Sequence, residues 1–151
     1  MGLRNSDTII IMEQEQRIRV GVGVMIVKDG KVLLGKRKGS HGAGEYAWLG
    51  GHMEYMESFE DCAKRETMEE TGIEIENIKF LRLLNLKRYA PKHYVDIGLI
   101  AEWKSGEPHV MEPDKVEKWD WYDMDNLPMP LFDTIPSYIE AYRTGRNFWD
   151  A

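Results

Sequence analysis

The chain alternates apolar with small or polar residues through much of its first half, and that alternation predicts strands. Arg17 to Lys28 is dense in Val, Ile and Gly and reads as a strand. Asp29-Gly30 is a hairpin signal, and Lys31 to Arg37 returns as the partner strand. Lys38 to Glu45 carries three glycines and reads as a mobile loop. Tyr46 to Met53 is a short extended piece broken by Gly50-Gly51. The pattern then changes. Ser58 is a plausible N-cap, Glu60 and Asp61 suit the first turn of a helix, and Gly72 ends it as a C′ glycine does. Ile78 to Leu86, Tyr94 to Trp103 and Lys118 to Tyr122 read as further strands. Asn126-Leu127-Pro128 turns the chain, and Thr134 to Arg143 predicts a second helix with Ile135, Tyr138, Ile139 and Tyr142 on one side. Strands, helix, strands, helix in that order predict an α/β fold, a mixed sheet with helices packed on it.

Length and composition narrow this. At 151 residues the chain fits one domain, placed at 17–151, with residues 1–16 expected as a flexible tail. Charged residues make up 30% and apolar residues 42%, ordinary values for a globular protein. The 26 Asp and Glu outnumber 20 Lys and Arg, for a net charge of −6. That argues against long nucleic acids and anionic membranes as partners, since both attract basic surfaces. A small phosphorylated substrate held by a few local charges stays open. Cys62 is the single cysteine, so no disulfide forms within the chain, which suits a reducing cytoplasm. No apolar run approaches the ~18 residues of a membrane span.

The first helix contains a conflict. At 100° per residue, Phe59, Cys62 and Ala63 share a stripe that should face the core. Continued, the same stripe reaches Glu66, Glu69 and Glu70, while Lys64 and Met68 lie opposite. Glu66 and Glu70 form an i,i+4 like-charge pair, which alone costs ~0.2–0.5 kcal/mol. Negative charge near a helix C-terminus also opposes the dipole. Carboxylates beside a core cost much more unless a cation neutralises them. A cluster of hard oxygen donors without His or Cys points to Mg²⁺ or Mn²⁺ rather than zinc.

Residues 51–73, GHMEYMESFEDCAKRETMEETGI, resemble the signature box of the Nudix hydrolases. The pattern is Gly51, Glu57, Arg65-Glu66, an apolar position, Glu69-Glu70, Gly72 and the aliphatic Ile73. Its one departure is Thr67, where a larger aliphatic is usual, and that touches packing rather than chemistry. The resemblance extends over about residues 18–145 and is strongest to the MutT-like branch of nucleoside-triphosphate diphosphatases. Leu49-Gly50-Gly51 stands where that branch has Pro-Gly-Gly, and Tyr46 stands for its Trp. The resemblance implies a Nudix α/β/α sandwich with a mixed central sheet.

The resemblance also implies roles. Glu66 and Glu70 are expected as metal ligands, Glu69 as a ligand directly or through water, and the Gly50 carbonyl as a further ligand. Arg65 is expected to pair with Glu57 and orient the helix start against Glu66. Glu112, in the loop before the late strand, is expected as a ligand or general base, with Glu117 its competitor. The general base lies among Glu66, Glu69 and Glu112. Arg37, at the end of the second strand, is expected on phosphate, because a guanidinium matches phosphate oxygens bidentately. Lys36 and Lys38 are expected to point away by strand alternation. Gly51 and His52 are placed on the substrate side. Asp96, Phe132 and Asp133 are nominated for the base, with Asp133 doubling as an N-cap candidate. Asp96 stands out because an unpaired carboxylate among apolar strand residues is expensive.

The expected reaction is metal-dependent hydrolysis of a nucleoside triphosphate, deoxy or modified, to the monophosphate and pyrophosphate. Alternatives within the class are a CDP-alcohol, an NDP-sugar, ADP-ribose or a dinucleoside polyphosphate, the last hinted at by Tyr89. The alternative of another class is a regulatory module that binds nucleotide without hydrolysis. Related enzymes are often homodimers, so a homodimer is also expected.

Overall fold

The computed structural model describes residues 16–39 and 41–150. The expected tail, residues 1–16, lies outside them except for Gln16. The elements run β1 (Ile18–Lys28), β2 (Lys31–Arg37), β3 (Tyr46–Ala47), β4 (Leu49–His52), α1 (Phe59–Thr71), β5 (Glu74–Leu86), β6 (His93–Ser105), β7 (Val116–Asp123), α2 (Ile135–Thr144) and β8 (Phe148–Asp150). Among the described residues, eight strands join one mixed sheet, with the order β3-β2-β1-β6-β5-β8, β4 paired to β1 and β7 paired to β2. β1 runs parallel to β6 and β5 parallel to β8, and the other pairs are antiparallel.

Strand alternation builds two cores, one on each face of the sheet. Val22, Val24 and Ile26 of β1 join Leu33, Leu49, Cys62, Ala63 and Trp119 on the α1 face. Met25 joins Val32, Leu34, Trp48, Ile135, Tyr138 and Ile139 on the α2 face. Complete burial of each such aliphatic stabilises the fold by roughly 1.5–3 kcal/mol. A central strand buried on both faces therefore reads as a nearly continuous apolar run. Gly23 and Gly98 are register partners in β1 and β6, and a side chain at Gly23 would overlap the Tyr138 hydroxyl. The two glycines form the notch into which α2 lays Tyr138.

The hairpin at Asp29-Gly30 has φ of 49° and 77°, the positive pair a two-residue hairpin turn requires. Helix α1 is capped as its sequence predicts. Ser58 Oγ accepts from the Asp61 amide at 3.0 Å, and Gly72 adopts the left-handed conformation at φ 74°.

Several boundaries differ from expectation. The Tyr46–Met53 piece splits into two strands, on separate partners, β2 and β1. β5 begins at Glu74, because bulges along its pairing with β6 absorb the polar residues that seemed to precede it. The short edge strand β8 was not legible, since three residues carry no periodicity. Helix α2 takes Thr134 as its N-cap residue, so Asp133 is not its cap. Tyr142 is 49% exposed, and Ala141 is buried in its place. Phe59 is also 49% exposed, and the buried arc of α1 runs instead from Cys62 and Ala63 to Thr67 and Thr71. Both threonine hydroxyls donate to carbonyls one turn back at 2.6 Å, so their burial leaves no unpaired polar group. Glu66 and Glu70 lie within that arc, on the side of α1 that faces β4.

Candidate active site

Strand β4 is where helix and sheet come closest. Gly50 lies opposite Gly23 and Gly51 opposite Val22. A Cβ at Gly50 would lie 2.6 Å from the Val22 carbonyl oxygen, and one at Gly51 would overlap the Glu66 carboxylate. Gly51 thus opens the room that the Glu66 carboxylate occupies, and Gly50 lets β4 lie close against β1. The Gly50 amide donates to Glu70 Oε2 at 3.0 Å.

Glu70 is mostly buried. Burial pushes its carboxyl up to about 8; the Gly50 amide opposes the shift, and the neighbouring Glu66 and Glu112 add to it. Glu112 lies in the loop before β7, and its carboxylate is held by Lys115 at 2.7 Å. Glu117, its expected competitor, pairs with Lys36 at 3.6 Å.

Arg65 organises the other side of the cluster. Its guanidinium donates to both Glu57 oxygens at 2.6 and 3.0 Å, to Glu66 at 2.8 Å, to Glu69 at 3.2 Å and to the His52 carbonyl at 3.1 Å. These bonds, that to Glu57 foremost, raise the already high Arg65 pKa. In return Arg65, with the Glu54 amide, holds the Glu57 carboxyl down at about 2. One side chain ties the loop before α1, the end of β4 and the acidic face of α1 into a unit. Cys62 lies beneath it, its thiol pushed up to about 12 by burial and so chemically inert.

Among the described residues, no three His, Cys, Asp or Glu side chains converge closely enough to hold an ion as they stand. Each candidate carboxylate faces an internal donor instead: Glu66 faces Arg65, Glu70 faces Gly50 and Glu112 faces Lys115. The donor set is nonetheless all hard oxygen, and the buried Glu70 lacks a full counter-charge. These residues fit Mg²⁺ or Mn²⁺.

Two cavities meet at β4. The first, about 290 Å³, is lined by Arg37, His41, Trp48, Tyr89, Tyr94, Asp96, Phe132 and Tyr138. The second, about 470 Å³, is lined by Arg37, Lys38, Glu70, Asp114, Lys115 and Trp119. Arg37, Gly50, Gly51 and His52 border both. Arg37 stacks on Phe132, its guanidinium carbon 4.2 Å from the ring centre, and donates to the His41 carbonyl at 3.1 Å. Desolvation lowers its pKa, opposed by Glu45 and Glu70. His52 stacks on Tyr94 at 5.8 Å.

Asp96 lines the first cavity but is already partnered. Arg82, wholly buried, donates to Asp96 Oδ2 at 2.8 Å and to its carbonyl at 2.9 Å. Arg82 also stacks on Tyr138 at 3.9 Å and donates to Ser137. This residue was missed, although it stands among apolar strand residues just as Asp96 does. Asp133 does not line either cavity. Its carboxylate accepts from the Tyr89 hydroxyl and pairs with Arg88 at 3.3 Å, which braces the Tyr89 loop. Lys38 corrects another expectation. The register shift between Lys36 and Arg37 interrupts simple alternation, and Lys38 borders the second cavity.

A sheet between two helices, with an acidic helix face set against a glycine pair, is the arrangement that the Nudix resemblance implies. The NUDIX domain model matches residues 17–143, and the chain belongs to that family. It is 35% identical over 133 residues to the NAD-capped RNA hydrolase NudC of Pseudomonas syringae pv. syringae (strain B728a), covering 87% of this chain and 46% of the relative. The Pseudomonas aeruginosa (strain LESB58) NudC is 32% identical over 138 residues, covering 90% of this chain and 48% of the relative. The chain thus spans about half the length of the curated relatives it matches. Among solved structures, a MutT NUDIX hydrolase from Burkholderia pseudomallei is 37% identical, with a TM-score of 0.77 over 83% of this chain and 98% of that one. A UDP-X diphosphatase shares the fold, with a TM-score of 0.65 at 20% identity over 99% of this chain and 76% of that one. Among the described residues, no helix is long and apolar enough to cross a membrane.

Proposed function

We propose that the chain hydrolyses nucleoside triphosphates to the monophosphate and pyrophosphate with Mg²⁺, or with Mn²⁺ in its place. The observation that supports this is the pair of abutting cavities. One has aromatic walls suited to a single base; the other is polar, takes in Glu70 of the acidic helix face and joins the first at Gly50-Gly51. In this reading the base lies in the first cavity against Phe132 and Tyr94, with Asp96 Oδ1 offering an acceptor. Arg37 holds phosphate oxygens at the junction, on the cavity side of Phe132. Glu66, Glu70 and Glu112, with Glu69 and the Gly50 carbonyl completing the shell, hold divalent metal. Bound to these carboxylates, a divalent ion would supply neutralisation of the phosphate charge and a lowered pKa for the attacking water. A carboxylate among Glu66, Glu69 and Glu112 takes the water's proton. Arg65 and Glu57 act by holding Glu66 and the β4 turn in place.

A second reading draws on the NudC relatives, whose name gives an NAD-capped RNA substrate. A dinucleotide would put its second nucleoside in the polar cavity. A release screen over nucleoside triphosphates, NAD, ADP-ribose, NDP-sugars and dinucleoside polyphosphates decides between them. Phosphate that appears from a triphosphate only after inorganic pyrophosphatase is added supports the first reading. Turnover of NAD with no triphosphate turnover would replace it. Glu66→Gln should cut turnover at least a hundredfold while leaving the fold intact. Parental turnover in that variant would refute the assignment.

A further inference from the structure

The second cavity contains residues that the reaction as described leaves without a task. Lys38 and Lys115 border it together with Arg37. Lys38 follows β2, and Lys115 precedes β7. The Lys38 amide donates to the Lys115 carbonyl at 2.8 Å, so the two segments are joined where both lysines leave the backbone. Arg37 stands where the two cavities meet, and Lys38 and Lys115 border only the second, which Glu70 and Asp114 also line.

The walls of this cavity indicate what fits there. Its indole rings, Trp48 and Trp119, are only 7% and 8% exposed and are parts of the two cores. Neither offers a free face on which a second base could stack. The first cavity, by contrast, has Tyr89, Tyr94 and Phe132 on its walls, while the rings of His41 and His52 border both. A compact polyanion suits three cations on flexible or forked side chains better than a planar ring does. Lys115 also has a second partner available. It holds Glu112 at 2.7 Å, and a cation taken up by Glu112 would free its ammonium group for another anion.

We propose that Lys38 and Lys115 form a subsite for the terminal phosphates of the substrate, and that this subsite sets preference for a free polyphosphate tail over an esterified one. The inference rests on the triphosphate reading above. Lys115 passes from Glu112 to the tail as substrate and metal arrive together, while Lys38 closes on the tail from the β2 side. A nucleotide whose second phosphate carries a sugar or a nucleoside gains less from both.

The test uses Lys38→Met, Lys115→Met, the double variant and Lys115→Arg, each with its fold checked by circular dichroism. Two measurements are made. The first is kcat/KM for a nucleoside triphosphate and for the matching diphosphate. The second is binding of inorganic tripolyphosphate with Mg²⁺, followed by calorimetry, which needs no turnover. Loss of charged hydrogen bonds to the tail should lower kcat/KM for the triphosphate about tenfold more than for the diphosphate in the double variant, mainly through KM. Tripolyphosphate affinity should fall at least tenfold, and Lys115→Arg should restore most of it. Equal losses on the two nucleotides, or unchanged tripolyphosphate affinity in the double variant, would overturn the subsite. A parent that binds tripolyphosphate through these lysines yet hydrolyses no triphosphate would uphold the subsite and refute the proposed reaction.

Discussion

Glu70 offers the sharpest test of the reading that the acidic helix face is built for a cation. Replacing it by Gln keeps an oxygen that can accept from the Gly50 amide and removes only the charge. In the folded protein burial holds this carboxyl at about 8, against an ordinary value of 4.5. Between those values the unfolded chain has released the proton and the folded chain retains it. Metal-free stability therefore falls as pH rises from about 4.5 and levels off above about 8. A tenfold change in proton affinity is worth ~1.4 kcal/mol, so this costs on the order of 2–5 kcal/mol by pH 8–9. Urea denaturation in the presence of a chelator, from pH 5 to pH 9, measures it. Near pH 5 parent and Glu70→Gln should be about equally stable. By pH 8 the variant should be the more stable of the two, by about 2 kcal/mol or more. Added Mg²⁺ should reverse the order, because the parent gains a ligand for the ion and the variant has lost one. Parallel stability profiles for the two proteins, or a variant weaker than the parent without metal at pH 8, would refute the reasoning.

Two further predictions concern local geometry. Gly51→Ala places a methyl group against the Glu66 carboxylate and should lower kcat/KM at least tenfold with little change in circular dichroism; parental activity would show that Glu66 has another working position. Ser58→Ala removes the acceptor for the Asp61 amide and should cost ~1 kcal/mol, a fall in Tm of about 2–4 °C, without changing KM. A scanning calorimetry trace unchanged from the parent would show that the cap is replaced by water.

The parts of this protein that local chemistry controls were legible in the chain. Ser58 and Gly72 bound α1, and Asp29-Gly30 turns the first hairpin, because caps and tight turns depend on residues within a few positions of one another. The conflict in α1, with Glu66 and Glu70 on the arc that Cys62 and Ala63 bury, was visible from helical period alone. So was the hard-oxygen character of the site. Contacts distant in sequence were another matter. Arg82 and Asp96 pair across β5 and β6, Lys38 meets Lys115 across β2 and β7, and Asp133 turns from the base to Tyr89 and Arg88. Each depends on strand register, bulges and loop closure, which single-residue preferences do not encode. The sequence by itself determined the family and its acidic helix face, since both are written in the residues of one loop and helix, 51–73. Only the tertiary structure decided that this face meets a glycine pair at the junction of an aromatic cavity and a polar one, because packing brings segments distant in sequence to that point.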